Sequence, residues 1–283
     1  MENMLIEILK LVAPGTSLRE GLDNVLKAKT GALIVIGDSK EVLDLVDGGF
    51  KIDEDYTAAR LYELAKMDGA IVLSQDGKKI LFANAQLIPK SDISTGETGT
   101  RHRTAERTAK QTGEIVISIS QRRNVITVFK GNFRYMVEET SKVLSKSNQA
   151  LQTLEKYKKV FDAKLSLLNE YEFNDTVTLD NVIIALERAE MVSKIVDEVK
   201  IGIYGLGEEG RLVQMQLEEL VGNLEEEELL IIEDYASLSN KDALTVLDIL
   251  RKLEYEDLMD KTVVAKILGY DIFENFEEVR SIF

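Results

Sequence analysis

The hydrophobic pattern divides the chain into two halves with different periodicities. In the first half, short runs rich in β-branched residues alternate with polar segments of helical spacing, which is the pattern of an α/β domain. The strand-like runs are Ala32 to Gly37, Ala70 to Ser74, Lys78 to Ile88, Glu114 to Ser120 and Asn124 to Gly131. The helix-like segments between them are SKEVLDLVDGG, YTAARLYELAKM and TGTRHRTAERTAKQTG. Asp76-Gly77 is a hairpin signal between two strand-like runs, so part of the sheet is predicted to be antiparallel and the sheet mixed.

From about Met136 the pattern becomes helical. Apolar residues recur without an interrupting glycine or proline at Val137, Leu144, Leu151, Leu154, Val160, Leu165 and Leu168. Later amphipathic segments carry capping residues such as Thr178 and Asp180, and the charged run from Glu225 to Glu228 is interpreted as a solvated helix face. The prediction is an α/β domain with a mixed sheet over residues 1–140, followed by an all-α helical spine over residues 141–283.

The segment from Gly205 to Gly210 reads GLGEEG, which matches the glycine spacing of a dinucleotide-binding loop. Its context argues against that function, because the preceding residues make a poor buried strand and the surrounding region is helical. Glu208 and Glu209 would also meet an incoming phosphate with like charge. A helix C-cap and a turn between two helices explain these glycines more simply.

Charge and composition narrow the setting. The formal net charge is -15, and it is unevenly divided: residues 1–140 hold 19 basic and 20 acidic residues, whereas residues 141–283 carry a net -14. The acidic second half is therefore a poor nucleic-acid binder by itself. The chain has no cysteine, which excludes disulfides and thiolate chemistry. Because the amino terminus is acidic and no apolar run is long enough to span a membrane, we expect a cytoplasmic protein without membrane association.

The stretch TGTRHRTAER, from Thr98 to Arg107, holds three arginines and the only histidine of the chain. Thr98 and Thr100 are candidate N-caps, and Gly99 allows close approach of the backbone, so the basic cluster is predicted to occupy the first turn of a helix. Free N–H groups and guanidinium forks together suit a phosphate. Basic residues oppose the helix dipole at this end, so their presence indicates a bound counter-charge. The alternative is a solvated helix with an Arg-Glu surface network.

Helical geometry prevents all of these side chains from facing one ligand. Arg101 shares a face with Thr104, and His102 shares a face with Glu106, so part of the basic cluster is expected to be structural. For His102 the alternative to a ligand contact is a histidine whose hydrogen bonds are satisfied by Glu106 or by a backbone carbonyl.

Two further polar groups accompany the basic helix. Asp68-Gly69 lies where a helix gives way to a strand, and Asp68 is placed to hold a divalent metal or to orient a hydroxyl; a plain turn aspartate is the alternative. Ser120, Arg122 and Arg123 lie in a predicted turn between two strands and offer a second arginine site, which suits a polyphosphate.

The motifs MDGA (Met67 to Ala70), GTRHRTAER (Gly99 to Arg107) and SQRR (Ser120 to Arg123) resemble the diadenylate cyclase domain family. The order of this domain and an acidic helical region resembles the DNA-integrity scanning branch of that family over nearly the whole chain. The resemblance implies condensation of two ATP into cyclic di-AMP and two pyrophosphates, with Mg2+ or Mn2+, by two domains that meet face to face. It further implies homo-oligomers, octamers in this branch, and coupling to a DNA damage checkpoint.

The resemblance also implies roles for individual residues. Asp68 and Gly69 lie beside the ribose, with Asp68 and His102 as metal ligands and Asp68 helping to activate the 3'-hydroxyl. The catalytic set is Asp68, Gly69, Arg101 and His102. The ATP-binding set is Asp68, Gly69, Leu87, Thr100, Arg101, His102, Thr104, Ser120 and Arg123. Within it, the backbone of Leu87 is expected to recognise adenine.

The sequence departs from this branch at its carboxyl end. Members of the branch end with a helix-hairpin-helix DNA-binding module, whereas this sequence stops at Phe283 after GYDIFENFEEVRSIF, without a basic segment around a glycine hairpin. The expectation is that the module is truncated or naturally absent, so DNA binding is not carried over to this chain. Two other classes stay open: a non-catalytic ATP or cyclic-dinucleotide sensor, and an adaptor whose basic helix touches a nucleic-acid backbone.

Overall fold

The structure is a computed structural model that describes residues 2–237 and 242–270. Its first half is built around an eight-stranded sheet in the order β2-β5-β4-β1-β6-β7-β8, with β3 paired to β5. The strands are β1 (Ala32–Ile36), β2 (Val46–Asp47), β3 (Phe50–Asp55), β4 (Ala70–Leu73), β5 (Lys79–Leu87), β6 (Ile115–Ser120), β7 (Val125–Lys130) and β8 (Phe133–Met136). β1 and β4 are parallel and the other pairs are antiparallel, so the predicted mixed sheet is confirmed.

Helices cover both faces of this sheet. They are α1 (Glu2–Leu11), α2 (Ser17–Ala28), α3 (Lys40–Leu43), α4 (Ala58–Leu64) and α5 (Thr100–Thr112). Alternate residues of β1 point to opposite faces: Ile34 joins a core with α1, α2 and α4, whereas Val35 joins a second core with Val42 of α3 and Ala105 of α5. Burial on both faces explains why the central strands read as continuous apolar runs.

The second half is helical throughout the part that the structure describes. It contains α6 (Thr140–Phe173), α7 (Leu179–Leu206), a 3-10 turn (Gly207–Gly210), α8 (Arg211–Val221), α9 (Leu224–Tyr235), α10 (Ala243–Arg251), α11 (Tyr255–Leu258) and α12 (Lys261–Ile267). Its core joins apolar residues of α6, α7, α9, α10, α11 and α12, such as Ile183, Ile232 and Leu247. The predicted order, an α/β domain followed by an all-α region, is confirmed.

Several predicted boundaries need correction. The helical pattern read from Met136 begins only at Thr140, because Phe133–Met136 pairs with β7 as β8. In SKEVLDLVDGG only Lys40–Leu43 is helical, and Val46–Asp47 forms β2. The interpretation of GLGEEG is confirmed: α7 ends at Leu206, and Gly207 turns the chain with φ +54° before α8.

The chain forms two compact units. The first contains residues 1–143 and 204–209, and the second contains residues 144–203 and the chain from Gly210 onward. In residues 2–237 and 242–270, the structure contains no helix with the length and apolar character to cross a bilayer. Residues 271–283, most of the segment GYDIFENFEEVRSIF in which a basic segment around a glycine hairpin is missing, lie outside the described residues.

The charged run of α9 is not a uniformly solvated face. Glu228 is completely buried, although Glu225 lies on the exposed side of the same helix. Helical spacing places Glu228 on the face of α9 that also carries Leu224, Ile231 and Tyr235, all of which are buried. The prediction was therefore wrong for Glu228.

Candidate active site

Strand directions bring the polar motifs of the first unit to one edge of the sheet. β1 and β4 run in the same direction, and their partners β6 and β5 run in the opposite direction. The starts of β1 and β4 therefore lie beside the ends of β5 and β6. Gly31 precedes β1, Gly69 precedes β4, Leu87 ends β5 and Ser120 ends β6, so segments that are far apart in sequence meet at this edge.

A cavity of about 380 Å³ opens at the same edge. It is lined by Leu33, Gly69, Ala70, Ala85, Gln86, Leu87, Thr100, Arg101 and Thr104. Five of the nine residues predicted to bind the nucleotide thus line one cavity: Gly69, Leu87, Thr100, Arg101 and Thr104. The wall from β1, β4 and β5 is largely apolar, while α5 contributes hydroxyl and guanidinium groups. Such a wall suits a ligand with a flat base at one end and an anion at the other.

Helix α5 directs its amino terminus to this cavity. Its N-cap is Gly99, with an extended backbone (φ -83°, ψ 140°) and no side-chain cap hydrogen bond, so the prediction that Thr98 or Thr100 caps the helix was wrong. A glycine cap leaves the amides of the first turn without a side-chain acceptor. These amides and the positive end of the helix dipole favour an anion at this position.

Arg101 supplies the main positive group of the cavity. Its side chain is partly buried, and it makes no ion pair or hydrogen bond with any residue that the structure describes. The guanidinium lies over Gly31: a Cβ built on this glycine would approach Nη1 of Arg101 to 2.5 Å. Gly31 therefore provides the space in which Arg101 reaches the cavity, and the arginine keeps its donors for a ligand.

The turn between β6 and β7 approaches the same helix end. The amide of Arg123 donates to Oγ of Ser120 at 3.1 Å, and Nη2 of Arg123 donates to Oγ1 of Thr98 at 3.5 Å. Arg122 is exposed and makes no ion pair within the described residues. Ser120 and Arg123 are therefore near the start of α5, as a second phosphate-binding group requires, but neither lines the cavity itself.

His102 lies beneath α5 rather than on its cavity side. His102 is 9% exposed, and its Nδ1 is 3.2 Å from Oγ of Ser118 on β6, so neither of the alternative partners predicted for it, Glu106 or a backbone carbonyl, is the one observed. Nε2 is buried without a hydrogen-bond partner in the described part of the chain. Burial, together with Arg123 and Arg101, lowers the pKa of His102, so the ring is neutral at neutral pH. It adds no positive charge to the site.

The other polar residues of α5 hold the preceding loop. Arg107 donates to the carbonyl of Ile93, Lys110 donates to the carbonyl of Ser94, and Glu106 accepts from the hydroxyl of Thr95. The expectation that some of the basic residues are structural is thus confirmed for Arg107. These contacts fix the segment that leads into Gly99 and so fix the start of the helix.

The Asp68-Gly69 turn forms the opposite rim of the cavity. The Asp68 side chain is exposed, and its carboxylate makes no hydrogen bond or ion pair with the described residues. Gly69 has φ +99°, and a Cβ there would lie 2.8 Å from the carbonyl oxygen of Ala85, so only glycine fits. Nδ2 of Asn84 donates to the carbonyl of Asp68 at 2.6 Å.

Sequence reasoning missed Gly31 and Asn84, because neither residue carries a charge or belongs to a known motif. Asn84 gave one usable signal. It is a turn-forming residue inside an otherwise strand-like run, which suggests a bulge.

The donor set fits a divalent cation only in part. No group of three His, Cys, Asp or Glu side chains is assembled in residues 2–237 and 242–270. The carboxylate of Asp68 suits Mg2+ or Mn2+, which commonly bind through one carboxylate together with substrate phosphates. His102 does not fit, since Nδ1 faces Ser118 and Nε2 is enclosed by protein. Of the two predicted metal ligands, only Asp68 has donor atoms in the described residues that a cation could reach.

Comparison with known proteins finds relatives of both halves of the chain. The family model described as DisA bacterial checkpoint controller nucleotide-binding, abbreviated DAC, matches residues 19–133, and that described as DisA bacterial checkpoint controller linker region matches residues 137–276. The DNA integrity scanning protein DisA of Acetivibrio thermocellus is 55% identical over 277 residues, which cover 96% of this chain and 77% of that protein. The proteins of the same name from Carboxydothermus hydrogenoformans and Clostridium perfringens are each 55% identical, over 95% of this chain and 77% and 76% of theirs.

Proposed function

This chain belongs to the DisA branch of the diadenylate cyclase family, and from that premise we propose that it condenses two ATP into cyclic di-AMP and two pyrophosphates. The observation that carries the proposal is the cavity at the sheet edge, where Arg101 has no acidic partner among the described residues. An arginine at a helix amino terminus, in a protein of net charge -15, is a site for a strongly anionic ligand.

Each nucleotide serves as both nucleophile and electrophile. The 3'-hydroxyl oxygen of one ATP forms a bond to the α-phosphorus of the other, and the bond from that phosphorus to the bridging oxygen breaks. Pyrophosphate leaves with the bonding electron pair, and the hydroxyl proton passes to Asp68 and then to water. Two such transfers close the ring. The main contributions of the protein are to align the two nucleotides and to stabilise the negative charge on the phosphates in the transition state.

The residues of the site have separate tasks in this proposal. Thr100, Arg101 and Thr104, together with the amides of the first turn of α5, bind the phosphates nearest the reacting centre. The backbone of Leu87 contacts adenine, and Gly69 allows the ribose to approach the main chain.

The turn between β6 and β7 completes the binding of the triphosphate. Ser120 and Arg123 bind the β- and γ-phosphates, which become the leaving pyrophosphate. Mg2+ or Mn2+, held by Asp68 and the phosphates, would neutralise negative charge and lower the pKa of the hydroxyl. His102 supports α5 through Ser118 and is not assigned a phosphate contact.

The reaction requires two sites that face one another. One cavity holds one nucleotide beside a single Asp68, so a lone domain lacks the second ATP. We therefore propose that two copies pair through their nucleotide-binding units and that the helical units support a larger homo-oligomer, such as an octamer. Specific activity should then rise with protein concentration over the range in which the copies associate.

The acidic second half bears on the checkpoint role. Residues 141–283 carry a net charge of -14, which opposes binding to a DNA backbone. We therefore propose that residues 141–283 do not contact DNA directly. Coupling of synthesis to DNA integrity would need another contact.

The test is to incubate the purified chain with ATP and Mn2+ or Mg2+ and to separate the nucleotides by chromatography. Wild type should form cyclic di-AMP and pyrophosphate in a ratio of one to two. Asp68→Asn should lower the rate at least about 100-fold, because it removes the group that accepts the proton. Asp44→Asn, which changes another exposed aspartate of the same unit, should retain wild-type turnover.

Two outcomes would contradict parts of the proposal. Full turnover by a folded Asp68→Asn variant would remove the assignment of Asp68. ATP binding by wild type without any product at high protein concentration would favour the alternative, a non-catalytic nucleotide sensor.

A further inference from the structure

Strand β5 contains a bulge next to the cavity. Ala70 pairs with Ala85 and Val72 pairs with Phe82. The two pairs are therefore three residues apart on β5 but only two residues apart on β4. Asn84 lies in this interval with φ +54°, the left-handed region, which a residue inside a strand does not normally adopt. Asparagine tolerates this conformation better than most residues. Bulges of this kind change the direction of a side chain and are frequent beside active sites.

The bulge directs the Asn84 side chain to the Asp68-Gly69 turn. Its Nδ2 is 2.6 Å from the carbonyl oxygen of Asp68, and because that partner only accepts, the asparagine nitrogen must be the donor. The main chain of β5 leaves no room for a side chain at the turn, because a Cβ on Gly69 would lie 2.8 Å from the carbonyl carbon of Asn84. The turn thus lies close against β5 and is bonded to it by the side chain of Asn84.

This hydrogen bond restrains Asp68 without occupying its carboxylate. Asn84 binds the main-chain carbonyl, and both carboxylate oxygens of Asp68 stay unpaired within the part of the chain that the structure describes. A contact to the carboxylate itself would compete with a metal ion or a substrate hydroxyl. We infer that Asn84 is a positioning residue, which fixes the backbone of Asp68 so that its carboxylate is presented to the ribose of a bound nucleotide.

The inference rests on the proposed function, and two variants separate the roles of Asn84. Asn84→Gly accepts the left-handed backbone but lacks the donor. Asn84→Asp keeps the shape and replaces the donor with a carboxylate oxygen that repels the Asp68 carbonyl. The control is Asp175→Gly, which changes another left-handed residue, with φ +59°, in the helical unit.

The first measurement is steady-state kinetics with ATP, after far-UV circular dichroism has shown that each variant is folded. Both Asn84 variants should lower kcat at least about tenfold and change KM for ATP less than about threefold, because the reacting group is misplaced while the phosphate contacts remain. Asp175→Gly should match wild type in both constants.

The second measurement is amide hydrogen exchange of the peptide around Asp68 and Gly69, followed by mass spectrometry without ATP. Exchange there should accelerate in both Asn84 variants and stay unchanged in Asp175→Gly. Wild-type exchange and wild-type kcat in both Asn84 variants would overturn the inference. If wild type makes no cyclic di-AMP while exchange accelerates as expected, the proposed function fails and the anchoring of the turn by Asn84 stands.

Discussion

Replacing the buried Glu190 by glutamine should stabilise the helical unit at alkaline pH and leave its stability near pH 4 almost unchanged. Glu190 is 1% exposed, and neither carboxylate oxygen has a hydrogen-bond partner in the described residues. The charged groups that act on the pKa of Glu190 are Glu228 on α9, Arg251 on α10, and Lys194 and Asp197 on the same helix. The guanidinium of Arg251 lies 3.1 Å from Oε2 of Glu225 and 3.5 Å from Oε2 of Glu228, so within the described residues it pairs with these carboxylates and not with that of Glu190.

The magnitude follows from the pKa of Glu190. Burial, and then the charge of Glu228, raises that pKa from 4.5 to about 8. The folded state therefore retains a proton that the unfolded chain has lost between these pH values. The stabilisation is complete below about pH 4.5 and is lost as pH rises through about 8. This difference in pKa corresponds to at most about 5 kcal/mol in the free energy of unfolding.

The assay is urea denaturation at pH 4.5, 7 and 9, followed by far-UV circular dichroism. Wild type should lose stability steadily across this series, whereas Glu190→Gln, which stays neutral, should lose much less. Glu198→Gln, which changes an exposed glutamate of the same helix, should follow wild type. Equal pH dependence in wild type and Glu190→Gln would refute the reasoning, because it would mean that Glu190 is not held protonated by the fold.

Two further predictions concern the nucleotide cavity and DNA. Gly31→Ala places a Cβ 2.5 Å from Nη1 of Arg101 and should weaken ATP binding about tenfold by calorimetry. Gly77→Ala strains a similar backbone (φ +67°) in open space and should bind ATP normally; equal losses in both variants would exclude displacement of Arg101 as the cause. The purified chain should show no salt-sensitive retention on immobilised duplex DNA at 0.15 M salt, and retention that falls steeply with salt would instead support a nucleic-acid adaptor.

Much of the fold could be predicted, and each error has a physical cause. The buried strands were found because burial on both faces demands continuous apolar runs such as ALIVI in β1. The strands β2, β3 and β8 were missed because they are short or exposed, and FKIDED in β3 has only two apolar residues. The burial of Glu228 was not predicted, because four consecutive glutamates were interpreted as one solvated face. The helical period places one of them, Glu228, on the buried face of α9.

The candidate site was predicted by residue type but not by arrangement. Arg101, Thr104 and Asp68-Gly69 stand out in the sequence because charge and left-handed turns have recognisable signatures. His102 was expected at the phosphates, yet it lies beneath α5 against Ser118. Its position depends on how α5 packs on β6, which no local pattern records.

The sequence by itself determined the order of the two halves, the central strands and the basic first turn of α5, because these depend on local periodicity and charge. Only the tertiary structure decided which segments share the cavity, since that depends on β1 lying between β4 and β6 and on their relative directions. It also supports the roles that we propose for Gly31 and Asn84. Those roles rest on the space over Gly31 and on the bulge at Asn84, and both features exist only when distant strands are paired.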